Sequence, residues 1–118
     1  ANGSGVIKNV EKAVEWYQMA AEQGHAKAQF NLGLMYANGS GVIKNVEKAV
    51  EWYQMAAEQG HAKAQFNLGL MYANGSGVIK NVEKAVEWYQ KAAEQGYADA
   101  QLALNSIKIQ QMHKESFE

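Results

Sequence analysis

A chain of 118 residues with 47 % apolar side chains is long enough to bury the core of one domain and too apolar to be disordered. Eleven basic and twelve acidic side chains give a net charge of −1, so no basic excess is available for a phosphate backbone, and nucleic acid is not expected as a partner. With no cysteine, disulfides and thiolate chemistry are excluded, and redox usage leaves the compartment unknown. No apolar run reaches membrane-spanning length and no signal-peptide pattern opens the chain, so membrane insertion is not expected.

In chain order, a loop over residues 1–9 is expected to lead into a first helix whose apolar stripe includes Val10, Ala13, Val14 and Tyr17. The second copy of this helix shows the pattern best. Val46, Ala49, Val50, Tyr53, Ala56 and Ala57 fall at i, i+3, i+4, i+7, i+10 and i+11, one stripe of an amphipathic helix over roughly 46–59. Asn45 is its expected N-cap, Glu47 sits in the first turn where the helix dipole favours an anion, and Gly60 ends it. This is called a B helix. An A helix follows over roughly 62–73, ended by Asn74-Gly75-Ser76-Gly77, whose glycines can take positive φ. A two-residue B-to-A connection requires an antiparallel hairpin. The longer A-to-B loop is expected to anchor itself through Val78 and Ile79.

The dominant feature is exact repetition. Residues 37–72 copy residues 1–36 without a change, and a third copy from Ala73 stays faithful to Gln101 apart from Lys91, Tyr97 and Asp99. A period of that length is the mark of stacked supersecondary units. The expected architecture is an all-α, right-handed α-solenoid in a single domain over 1–118. It holds six helices in the order B-A-B-A-B-A and three 36-residue repeats (1–36, 37–72, 73–108), with a C-terminal capping helix and tail over 98–118. Copying of surface and core alike, together with a start at Ala1, reads as an engineered or consensus-like array or an excised fragment.

The two helices divide their faces differently. On the B helix Glu47, Glu51, Gln54 and Glu58 form a solvated outer side, while Trp16, Trp52 and Trp88 are expected in the core or between repeats. The A helix is apolar on two sides: Ala64, Leu68, Met71 and Tyr72 on one, Phe66 and Leu70 on the other. Such a helix must be sandwiched. Gly69 in its middle costs about 1 kcal/mol of helix propensity relative to alanine, a cost that makes sense if another helix crosses closely there.

The fragments AKAQFNLGLMY, NGSGV and EKAVEWYQMAAEQG closely resemble the Sel-one-like repeat family, a relative of the tetratricopeptide repeats, over residues 1 to about 101. The resemblance implies A helices on the concave side, B helices on the convex side and an adaptor role. Three departures stand out. Ile43 and Asn45 occupy loop positions where the family usually has proline and aspartate, and Met19 and Met55 stand where it favours a basic residue, as Lys91 does in the third copy. In the last A helix Asn105, Ser106 and Lys108 replace glycine, leucine and tyrosine, the mark of a cap with a polar outer side.

No catalytic constellation emerges. His25 and His61 are repeat equivalents in a tight turn, read as surface residues, and a repeat step of about 10 Å keeps them from sharing a metal. His113 lies in the tail. Ser4, Ser40 and Ser76 occupy Gly-Ser-Gly loops without the strand and lysine of a phosphate cradle. The expectation is a chain that is not an enzyme and takes no cofactor or metal. Its function is expected to be protein or peptide binding on the concave face of the A helices, through Lys27, Phe30, Asn31 and Leu34 and, one repeat on, Lys63, Phe66, Asn67 and Leu70. The opposing reading for Phe66 and Leu70 is packing of A helix on A helix. The alternative function is an engineered array that stacks or self-assembles without a natural ligand, its uncovered first B helix recruiting another copy into a homo-oligomer.

Overall fold

The computed structural model describes residues 3–116, with side chains from Asn9 to Glu115; the side chain of Ser4 and residues 1–2 and 117–118 lie outside the described residues. Six helices follow one another: α1 (Gly3–Glu22), α2 (Ala26–Asn38), α3 (Val46–Glu58), α4 (Ala62–Asn74), α5 (Val82–Glu94) and α6 (Ala98–Ser116). α1, α3 and α5 are the B helices, and α2, α4 and α6 the A helices. Each helix packs chiefly on its neighbours in sequence, and the molecule is elongated, 61 × 27 × 23 Å. This is the all-α, right-handed solenoid that the repeat requires.

Local chemistry sets the boundaries. The side chains of Asn45 and Asn81 accept hydrogen bonds from the backbone N–H of Lys48 and Lys84, each at 3.0 Å, and so open α3 and α5. Gly39 and Gly75, at φ +69° and +65°, close α2 and α4 by donating back to the carbonyls of Met35 and Met71. The A-to-B loop is then tied to the helix before it: Ser40 N–H donates to Met35 and Asn45 N–H to Tyr36, at 2.9 Å each. Gly41 touches Val10 and Val14, leaving no room for a Cβ.

Those tethers explain one correction. The loop expected over residues 1–9 is instead the start of α1, which runs unbroken from Gly3. In the other two copies the carbonyls of Met35 and Tyr36, or of Met71 and Tyr72, hold this segment in loop form. At the other end, α6 continues past the repeat to Ser116. In the loop, Val78 is half-buried against the core, whereas Ile79 and its equivalent Ile43 are 91 % and 90 % exposed, so the anchor is the valine alone.

The core is built where a B helix meets the A helix before it. Gly33 lies against the Tyr53 ring and Gly69 against the Tyr89 ring; a Cβ on either glycine would stand 2.6–2.7 Å from ring carbons. Both tyrosines are 2 % exposed, and Ala49 and Ala85 beside them are fully buried. Phe30 and Phe66 tilt against the same rings at 5.7 Å. Trp52 packs on the cluster of Ala21, Ala28 and Leu32 in the preceding repeat, and Trp88 on its equivalent around Ala57, Ala64 and Leu68. Trp16 departs from the expectation. It is 71 % exposed.

Gly69→Ala tests the close approach. In an open helix the change would gain about 1 kcal/mol; here the methyl meets the Tyr89 ring, and a loss of about 1–3 kcal/mol is expected from overpacking. Urea unfolding reads the sign, and a higher midpoint for the variant would show that the helices do not meet at this glycine.

Candidate protein-interaction surface

Packing consumes most of the A-helix surface and leaves one stripe. Lys27, Asn31, Leu34 and Asn38 on α2 fall at i, i+4, i+7 and i+11, on a single helix face, and Lys63, Asn67, Leu70 and Asn74 repeat them on α4. Both lysines are exposed, the two asparagines at 31 and 67 are half-buried, and Leu70 is 37 % exposed. A shallow hollow of about 230 Å³ is lined by Tyr17, Asn31, Leu34, Met35, Asn38 and Ser40. A second of about 340 Å³, lined in part by Asn74, Ala103, Ser106 and Gln110, continues the stripe toward α6.

The eight residues expected to bind thus separate into two groups. Phe30, 9 % exposed, sits between Tyr53 and the His61 ring, and Phe66 sits between Tyr89 and Tyr97. Their rings stabilise the B-on-A contact. Lys27, Asn31, Leu34, Lys63, Asn67 and Leu70 remain on the stripe. Asn67 is not idle there, because its amide hydrogen-bonds the Tyr53 hydroxyl; burial raises the Tyr53 pKa and this bond draws it partly back. Ala103 occupies the equivalent position in α6, and Tyr89 has burial alone acting on it, which raises its pKa. Asn38 and Asn74 were missed by sequence reasoning, although they stand eleven residues beyond Lys27 and Lys63 and seven beyond Asn31 and Asn67.

Two buried glutamines were also missed. Gln29 and Gln65, each 4 % exposed, donate to the carbonyls of Ala21 and Ala57 at 3.1 Å and accept from Gln59 and Gln95 of the next repeat at 2.8 and 2.9 Å. Every inter-repeat junction therefore carries an amide pair as well as an apolar contact.

His61 is more than a surface residue of the turn. Its Nδ1 accepts from the Ala64 N–H at 3.2 Å, capping α4, and its ring stacks on Phe30 at 4.9 Å. Burial, helped by the charges of Lys63 and Lys27, lowers its pKa below the ordinary 6.5. His25 is exposed and makes no side-chain cap. In the third copy Tyr97 takes the ring position, 5.3 Å from Phe66. Among the described residues no three His, Cys, Asp or Glu side chains gather as a metal site, and no helix is long and apolar enough to cross a membrane.

The Sel1 repeat family model matches residues 1–25, 26–61 and 62–97. The chain belongs to the Sel1 repeat family. The second and third matched units begin on an A helix, as the hairpins α2–α3 and α4–α5 do. Among solved structures, the chain is similar to a Sel1 repeat protein from Oxalobacter formigenes, at 51 % identity and a TM-score of 0.78, covering 80 % of this chain and 39 % of that one. It is also similar to a protective antigen of uropathogenic Escherichia coli strains displaying an SLR fold, at 44 % identity and 0.75, covering 76 % and 19 %. The cysteine rich protein B of Helicobacter pylori, at 24 % identity and 0.71 over 84 % of this chain and 89 % of that one, shares the fold. The chain thus spans 39 % and 19 % of the first two relatives. No curated protein matches the sequence. Sel1 repeat proteins are generally non-catalytic scaffolds for protein interaction.

The lowered pKa of His61 has a sign. The unfolded chain takes up the proton first, so this residue's contribution to stability is complete above about pH 6.5 and is lost as the pH falls toward its folded pKa. Unfolding midpoints of the wild type should fall between pH 7 and pH 5 more than those of His61→Tyr, which keeps the third copy's ring. Equal falls would remove His61 as the source.

Proposed function

We propose that this Sel1 repeat chain is a protein-binding scaffold that receives an extended peptide along the concave face of its A helices. The observation that carries the reading is the repetition, one repeat apart, of a lysine, two amides and a leucine left over from packing: Lys27, Asn31, Leu34 and Asn38, then Lys63, Asn67, Leu70 and Asn74. Asparagine amides both donate and accept, which suits a peptide backbone, and the leucines offer apolar contact between them. Phe30 and Phe66 support the stripe from beneath by fixing the spacing of the A helices. Lys27, Lys63 and the α4 N-terminus place positive charge at one edge, so the acidic or carboxylate end of a peptide belongs there. Three repeats at about 10 Å each accommodate roughly nine extended residues. The exact identity of residues 1–36 and 37–72 favours a second reading, an engineered array without a natural ligand.

A displayed library of nine-residue peptides selects between them. Under the scaffold reading, selected peptides bind the wild type, and Asn31→Ala with Leu70→Ala weakens them at least tenfold while far-UV circular dichroism is unchanged. Binding that is indifferent to both substitutions would refute the concave assignment; a library that returns no binder favours the array.

A further inference from the structure

The residue that opens the surface stripe is a lysine on two of the A helices and an acid on the third. Lys27, Lys63 and Asp99 stand one repeat apart, at the same place in the first turn of α2, α4 and α6. All three are exposed. Along the stack, this edge of the A helices therefore reads positive, positive, negative.

The rings beside these charges follow the same division. His61 Nδ1 accepts from the Ala64 N–H at 3.2 Å, so the neutral ring carries its hydrogen on Nε2 and keeps one donor to offer. The charges of Lys63 and Lys27 both bear on that ring. Tyr97 takes the same position ahead of Asp99, and its hydroxyl is neutral and can donate or accept. Glu58 and Glu94 end α3 and α5 a few residues earlier, but they line a separate hollow of about 470 Å³ with Trp88 and Lys91.

The uncharged grips stop sooner than the charges do. Asn31 and Leu34 recur as Asn67 and Leu70, whereas Ala103 and Ser106 take their places on α6. A partner that reaches α6 finds neither the asparagine amide nor the leucine there. Asp99 is the charge it meets instead.

We propose that the partner of the concave face is a charge-segregated peptide, its acidic side chain held by Lys27, His61 and Lys63 and its basic side chain by Asp99. The proposal rests on the concave-face reading and adds the polarity and register of what is bound. A repeat step of about 10 Å puts Asp99 about 15 Å from the midpoint of the two lysines. An extended chain covers that span in roughly four or five residues. A uniformly acidic peptide meets like charge at Asp99, and a uniformly basic one meets it at both lysines, so the edge discriminates against each.

Asp99→Lys and Lys63→Asp test this with side chains that the same position already carries in other repeats, so both suit the fold. A nine-residue peptide library selected on the wild type should return acidic and basic side chains roughly four or five residues apart. In fluorescence anisotropy at low salt, each substitution should weaken those peptides about tenfold. The loss should shrink at about 0.5 M salt, where exposed charges are screened. Selection on Asp99→Lys should return peptides acidic at both ends. Wild-type peptides without the charge pattern, or affinities that ignore both substitutions, would each overturn the proposal. If Asn31→Ala with Leu70→Ala still weakens those peptides, the concave-face reading survives that failure. Binding indifferent to the asparagine and leucine changes, or a library without a binder, overturns that reading and this proposal together.

Discussion

The stack depends on one close approach, a tyrosine ring of each inner B helix lying on a glycine of the A helix before it. Glycine costs about 1 kcal/mol in a helix interior, and full burial of a large apolar side chain returns about 1.5–3 kcal/mol. The exchange favours the contact only because Gly33 and Gly69 let Tyr53 and Tyr89 come within van der Waals reach of the helix backbone. That approach brings Ala49 and Ala85 to zero exposure and sets the rings on which Phe30 and Phe66 rest. Spacing between A helices, and with it the spacing of every surface residue on them, follows from this contact. The stripe of lysines, amides and leucines is what remains once these demands are met.

Much of this was legible in the residues. Asparagine caps, positive-φ glycines and the 3.6-residue apolar period are local signals, and the helices they mark at 46–58 and 62–74 fall within a residue or so of their expected limits. The two-sided apolar A helix with a glycine in its middle pointed to a sandwiched, closely crossed element, which α4 is. Signals that depend on a distant partner were not legible. The NGSGVIKN segment is a loop where Met35 and Tyr36, or Met71 and Tyr72, offer carbonyls, and the same residues are helical at the start of α1. Trp16 and Trp52 sit in identical local sequence, yet one is exposed and the other packed, because what covers Trp52 is the hairpin before it. Gln29 and Gln65 read as surface residues for the same reason; their partners lie eight and thirty residues away.

For the interaction surface the same divide applies. Sequence placed Phe30 and Asn31 on one list, since adjacent residues of a helix apolar nearly all round have no evident division of labour. Packing supplies that division: the phenylalanine faces the next tyrosine and the asparagine faces outward. His61 and Tyr97 show how a single change of ring keeps the packing role while discarding the imidazole that caps the helix. Identical repeats thus acquire distinct roles through their neighbours and through few substitutions.

All of these assignments presuppose an open stack and not a bundle folded back on itself. Small-angle X-ray scattering at dilution measures that difference directly. The solenoid has a Cα radius of gyration of 16.5 Å, against about 13.5 Å for a compact globule of this length. A value near 16.5 Å, slightly raised by hydration, with a distance distribution tailing toward 60 Å, is the expected result. A value near 13.5 Å with a symmetric distribution would contradict the stack and every junction derived from it.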